Sequence, residues 1–156
     1  MEDGKVAESG QQREELWFIR ENITTALSHN GAVYKYDMSL RVGEMYELVE
    51  ETRERLKDVK EAQVLGYGHM GDGNLHLNIS VPERSERVTK LVEPFVYEWT
   101  GKKAGSVSAE HGIGQMKKKY LNLSKSKSMI GTMQGLKRHF DPKGILNPGK
   151  VVPDID

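Results

Sequence analysis

A chain of 156 residues, 37% hydrophobic and 29% charged, can bury one core of real size, and no apolar run in it approaches the ~20 residues that cross a bilayer. It contains no cysteine, which excludes disulfides, thiolate metal centres and a cysteine nucleophile and leaves His, carboxylate and water as the ligands of any metal. The net charge is zero, yet residues 1–100 carry 12 basic and 19 acidic side chains while residues 101–156 carry 11 and 4; without an aromatic-interleaved basic motif, a solvated face is expected there rather than a nucleic-acid interface.

Met1-Glu2-Asp3-Gly4 has neither the apolar core of a signal peptide nor the basic character of a transit peptide, so residues 1–10 read as a frayed start. From Gln11 to His29 the apolar Leu16, Ile19, Ile23 and Ala26 recur at three and four, which predicts one amphipathic helix ended by Asn30-Gly31. Arg20 and Thr24 lie four apart and share a face of it, which periodicity alone assigns to solvent. Ala32 to Asp37 reads as a strand in which Lys35 points away from Tyr34 and Tyr36. A second helix is predicted from Gly43 to Lys57, with Met45, Leu48, Val49, Thr52 and Leu56 along its apolar stripe and glutamates on its wet side.

The stretch Gly66 to Asn78 is the most informative. His69 and His76 flank Asp72-Gly73, a preferred pair for a two-residue type I′ turn. That turn would set His69 directly opposite His76, with Cβ atoms ~4.5–5.5 Å apart on one face, so both imidazoles could reach one ion. Leu75, Leu77 and Ile79 alternate with Asn74, His76, Asn78 and Ser80, which places Asn78 beside His76 on the polar face. Strands are therefore expected at 62–69 and 74–80. A helix from Ser85 to Lys102 follows, with Val88, Leu91, Val92, Phe95 and Trp99 inward and a kink or restart at Pro94.

Gly105 to Gly114 begins as a short strand of small residues and runs into Glu110-His111. Neighbours in a strand point to opposite faces; for both to enter one pocket the chain must bend, which Gly112 permits. Glu110 could then complete a His, His, carboxylate set with an open position. On these residues alone a surface hairpin with incidental histidines, a metal-dependent hydrolase and a metal-binding module without activity all stay open. A helix over 125–140 should bury Met129, Ile130, Met133, Leu136 and Phe140, and Ile145 and Leu146 should anchor the turn-rich end. The fold class expected is α+β, an antiparallel sheet with helices packed on one face.

Gly-His-Met-Gly-Asp-Gly-Asn-Leu-His-Leu-Asn at 68–78, Ala-Glu-His-Gly-Ile-Gly at 109–114 and Asp-Pro-Lys-Gly-Ile-Leu-Asn-Pro-Gly-Lys at 141–150, in that order, resemble the C-terminal domain of FAD-linked oxidases of the vanillyl-alcohol-oxidase type, over about residues 11–153. Val33 to Asp37, Tyr97 to Thr100 and Gly105 to Ser108 are most similar to the mitochondrial branch that oxidises a D-2-hydroxy dicarboxylic acid; the D-lactate branch is the near alternative. The resemblance implies that His69, His76 and Glu110 hold a divalent metal, usually zinc. It implies that Arg20, Thr24 and Lys35 hold substrate carboxylates, that Asn78 makes a polar contact beside them and that His111 is the catalytic base. Asn147, with Glu110, is implied as a cofactor contact, Asn147 lying where the family chain approaches FAD. It further implies a 2-hydroxy acid as substrate, electron-transferring flavoprotein as electron acceptor and a mitochondrial location. In this family an N-terminal domain carries most of the FAD contacts, so the 156 residues are expected to be a partial form of the enzyme that holds FAD poorly alone.

Overall fold

A computed structural model describes residues 4–153; of the expected frayed start, residues 1–3 lie outside the described residues. Its centre is an antiparallel sheet of three strands, β1 (Ala32–Ser39), β2 (Gln63–His69) and β3 (Asn74–Val81), in the order β1-β3-β2. Alternation sorts the strands into two faces. Tyr34, Tyr36, Met38, Leu75, Leu77, Ile79 and Val64 face the core. There they meet the apolar stripes of α3 (Val42–Arg55) and α4 (Glu86–Lys102), in particular Leu48, Val49, Val92 and Val96. The α+β architecture is thus the one the alternation and periodicity predict. Gly66 lets α3 and β2 meet closely, since a Cβ there would stand 2.4 Å from Val49 Cγ2.

The hairpin differs from the expected one. Met70–Asp72 form a 3-10 turn and Gly73 takes the left-handed conformation at φ +76°. The register pairs His69 with Asn74 and Tyr67 with His76, so the two histidines are diagonal neighbours rather than opposed. The cause is tertiary. Leu40 N–H donates to Gly73 O at 2.9 Å, and a Cβ on Gly73 would stand 2.5 Å from Leu40 O. The turn is thereby seated against the end of β1, while Asp72 Oδ1 accepts the Asn74 N–H at 3.1 Å.

The single helix predicted over 11–29 is two, α1 (Gly10–Glu21) and α2 (Ile23–Ser28). At the break, Asn22 donates both its N–H and its side-chain amide to Phe18 O, the local competition for helix carbonyls that makes Asn a poor interior residue. Only Leu27 of the two helices is buried, and Trp17, Phe18 and Ile19 are exposed.

Pro94 does not restart α4, which runs unbroken under the cover of its buried valines. Arg55 Nε donates to Leu91 O at 2.5 Å and its guanidinium lies over Phe95, a side-chain donor to a helix carbonyl close to the residue that brings no N–H. The strand expected before Glu110 is a single bridge, Ser39 to Ser106.

The last helix, α5 (Lys127–Phe140), starts after the Ser126 cap and buries none of its residues. Met129 is 51% and Phe140 75% exposed, so the methionines are not core. Ile145 and Leu146 are exposed as well. Polar bonds hold that end instead: the buried Asp141 carboxylate accepts the N–H groups of Ile145 and Leu146 at 3.0 and 2.9 Å and a close contact from Lys137.

Candidate active site

The sheet face turned away from α3 and α4 is polar, and the site is built on it. β3 carries His76 and Asn78; β1 brings Lys35 opposite Asn78 and Asp37 opposite His76; β2 brings Tyr67 opposite His76 on the other side. α1 and α2 supply Arg20 and Thr24, and the loop after the Ser39–Ser106 bridge supplies Glu110 and His111. With His69 and Tyr36, all of these residues but the buried Asp37 line a cavity of about 290 Å³. Every site residue expected from the sequence lies there except Asn147, which is exposed in the closing turns and not among the residues lining the cavity. The C-terminal segment still reaches the loop that carries His111, through Val151 N–H to Gly114 O at 2.8 Å.

Three imidazoles gather on one carboxylate oxygen. Glu110 Oε1 lies 3.2 Å from His76 Nε2, 3.3 Å from His111 Nε2 and 3.9 Å from His69 Nε2. The His76 ring is 5.4 Å from that of His69, nearly perpendicular, and 5.6 Å from that of His111, nearly parallel. Burial pushes the His76 imidazole below its ordinary range; Glu110 and Asp37 pull it up, and His111 and His69 push it further down. A neutral imidazole is the form that binds a metal ion. One ligand atom from each of Asp37, His76, Glu110 and His111 lies within 4.8 Å of the others, so the grouping brings in Asp37 and His111 where the sequence pointed to His69.

Tyr67 and Asp37 were not singled out by sequence, and both organise the cavity. Tyr67 shares a close hydrogen bond with Thr24 Oγ1. Its ring lies 5.1 Å below the Arg20 guanidinium and 5.3 Å from the His76 ring, so it ties α1 and α2 to the hairpin despite the break at Asn22. The signal for Asp37 was present: it alternates with Lys35 on one face of a strand, a setting from which Asp is depleted. Asn78 is 2% exposed and its Nδ2, like Tyr36 Oη, has no hydrogen-bond partner among the described residues. A buried donor left unmade costs ~1–3 kcal/mol, which at Asn78, on the site face of the sheet, a polar ligand atom in the cavity would offset.

Burial would push the Asp37 carboxyl up, but the His111 and Glu110 amides, the Ser108 hydroxyl and Lys117 outweigh it and hold the group below the usual carboxylate range. Its folded value therefore lies below its unfolded one. These bonds stabilise the fold in full above the unfolded value near 3.8 and are lost as pH falls through the folded value. In an NMR titration the amides of residues 109–111 are expected to keep their hydrogen-bonded shifts down to ~pH 3.8 and to move only below it. Movement centred near pH 5 would contradict the arrangement.

Comparison with known proteins supplies the family context. The model for FAD linked oxidases, C-terminal domain, matches residues 1–151. Over 151 residues the chain is 54% identical to a protein of Arabidopsis thaliana named D-2-hydroxyglutarate dehydrogenase, mitochondrial, covering 97% of this chain and 27% of the relative. It is 47% identical over 152 residues to the Danio rerio protein of the same name, covering 97% and 28%. It is 49% identical over 160 residues to a putative mitochondrial D-lactate dehydrogenase of Schizosaccharomyces pombe, covering 96% and 30%. The chain thus spans less than a third of the length of these relatives.

Proposed function

The chain belongs to the FAD-linked oxidase C-terminal domain family, and on that premise we propose that residues 11–153 form the substrate- and metal-binding domain of an FAD-dependent dehydrogenase that oxidises D-2-hydroxyglutarate to 2-oxoglutarate. The observation that carries the proposal is one cavity lined by a carboxylate with three imidazoles around it and by Arg20, Lys35 and the unpartnered Asn78 amide. The donor set fits a divalent cation: imidazole and carboxylate without thiolate suit zinc and its neighbours. His69, His76 and Glu110 would hold it. Asn147 stands outside the lining of this cavity, and its assignment to FAD rests on the family resemblance.

When bound, the metal supplies Lewis acidity toward a substrate hydroxyl and the flavin supplies a two-electron acceptor. The chain does the rest. Arg20, held over Tyr67, takes one carboxylate of the acid, and a guanidinium can do so with two parallel bonds that fix orientation. Lys35 and Asn78, paired across β1 and β3, take the other. His111 Nε2 receives the proton of the 2-hydroxyl as general base. The mitochondrial names of the relatives support a mitochondrial location. Electron-transferring flavoprotein as acceptor rests on the family resemblance alone.

Calorimetric titration of the zinc-loaded chain tests this reading. D-2-hydroxyglutarate is expected to bind ~10-fold or more tightly than D-lactate, since its second carboxylate adds a charged hydrogen bond of ~1.5–3 kcal/mol. Lys35→Ala should erase most of that margin. Equal affinity for the two acids in the unaltered chain would favour the D-lactate reading that the Schizosaccharomyces pombe relative suggests.

A further inference from the structure

Glu110 and His111 are consecutive, yet both side chains line the same cavity. In extended backbone they would point to opposite faces. The reason lies in a residue more than 70 positions away. Asp37 is 2% exposed. Its Oδ2 accepts the backbone N–H groups of Ala109 at 3.0 Å, Glu110 at 3.0 Å and His111 at 2.9 Å. Ser108 Oγ lies 3.1 Å from the same oxygen, and Lys117 Nζ lies 3.8 Å away. Asp37 Oδ1 accepts the Asn74 amide at 3.2 Å.

Successive amides that converge on one point form a nest, a concavity whose aligned dipoles require an anion at the centre. Without it the three N–H groups would repel one another and the turn would open. Nothing apolar does this work, for the loop from Ser108 to Gly112 is mostly exposed and only the flanking Val107 and Ile113 join the core. The same carboxylate sits opposite His76 in the β1–β3 register. It therefore fixes the loop that carries Glu110 and His111 against the strand that carries His76.

We propose that Asp37 is the positioning residue of this site: its charge folds the 108–111 loop into a nest and thereby aims Glu110 and His111 at His76. It is not itself a metal ligand in this arrangement, although its oxygens lie close enough. Coordination would take them from the three amides and the hydroxyl that shape the loop. The inference deepens the reading of the cavity as a metal and substrate site and rests on it for the consequence, though not for the loop geometry.

The test is Asp37→Asn in the full chain, an isostere that keeps the volume and loses the charge. Amide exchange is expected to show at least ~10-fold faster exchange at residues 109–111 with residues 75–81 unchanged. Zinc titration should show affinity down ~10–100-fold, the range for supporting partners of metal ligands. A general structural role would loosen the sheet amides too. Unchanged exchange at 109–111 with zinc affinity within twofold of the parent would overturn the proposal. If Asp37→Asn does not fold, exchange in the parent chain decides: marked protection of the 109–111 amides, whose acceptor is Asp37 Oδ2, supports the nest although the loop is mostly exposed, and exchange there at the rate of an unstructured peptide overturns it. Failure of the parent chain to bind zinc would sink the metal reading alone, since exchange at 109–111 still decides the role of Asp37.

Discussion

His76→Ala is expected to abolish stoichiometric zinc binding by the chain while leaving it folded. Of the three imidazoles around Glu110 Oε1, that of His76 is closest, at 3.2 Å, and its side chain is only 13% exposed against 48% and 62% for His69 and His111. It sits on the central strand, between Asp37 and Tyr67 in register, so its position is fixed by two ladders rather than one. Burial also keeps it neutral, so little proton release would oppose metal binding at pH 7. Losing a ligand with these properties should cost more than the ~10–100-fold typical of a lost supporting contact. Elemental analysis after gel filtration, beside a circular dichroism spectrum, checks both parts. Metal content equal to the parent would remove His76 from the ligand set.

The sequence was most informative where the physics is local. In β3 the alternation of Leu75, Leu77 and Ile79 with Asn74, His76 and Asn78 named the two faces correctly, because an apolar core on one side of the sheet and a polar site on the other leave a period of two, although both faces are largely buried. The register failed by contrast. Asp72-Gly73 has the chemistry of a type I′ turn, but Gly73 is drawn under Leu40, and no local preference reveals a partner in another strand. α5 shows the same limit. Met129, Met133, Leu136 and Phe140 do lie along a helix, yet periodicity says only that a helix has an apolar stripe, not what meets it. Arg20 and Thr24 reach the cavity although the helix expected to carry both is broken at Asn22; Tyr67 restores the alignment by a contact across 43 residues of sequence. Asp37 stands out locally as an acid inside a strand, but its role does not, since the amides that give it one are contributed by residues 109–111.

His111→Gln in the flavin-loaded protein that carries this segment should lower kcat by ~10²–10⁴-fold, the usual contribution of a positioned general base, with zinc content and KM near those of the parent. Glutamine keeps much of the volume and a hydrogen-bonding end but cannot hold the proton. The outcome discriminates because the geometry admits two assignments. His111 Nε2 is 3.3 Å from Glu110 Oε1 and His69 Nε2 is 3.9 Å from it, so on distance alone His111 could be the third ligand and His69 the spare imidazole. The nest formed on Asp37 bears on the choice. It fixes the His111 backbone but leaves a half-exposed ring at the mouth of the cavity, where a base can exchange its proton with solvent between turnovers. His69 ends the edge strand β2, diagonal to His76 on the same sheet face, as a second ligand from one hairpin should. His69→Ala should therefore lose zinc and turnover together, whereas His111→Gln loses turnover alone. If His111→Gln sheds the metal and His69→Ala keeps it, the two histidines exchange roles, His111 as the ligand and His69 as the base.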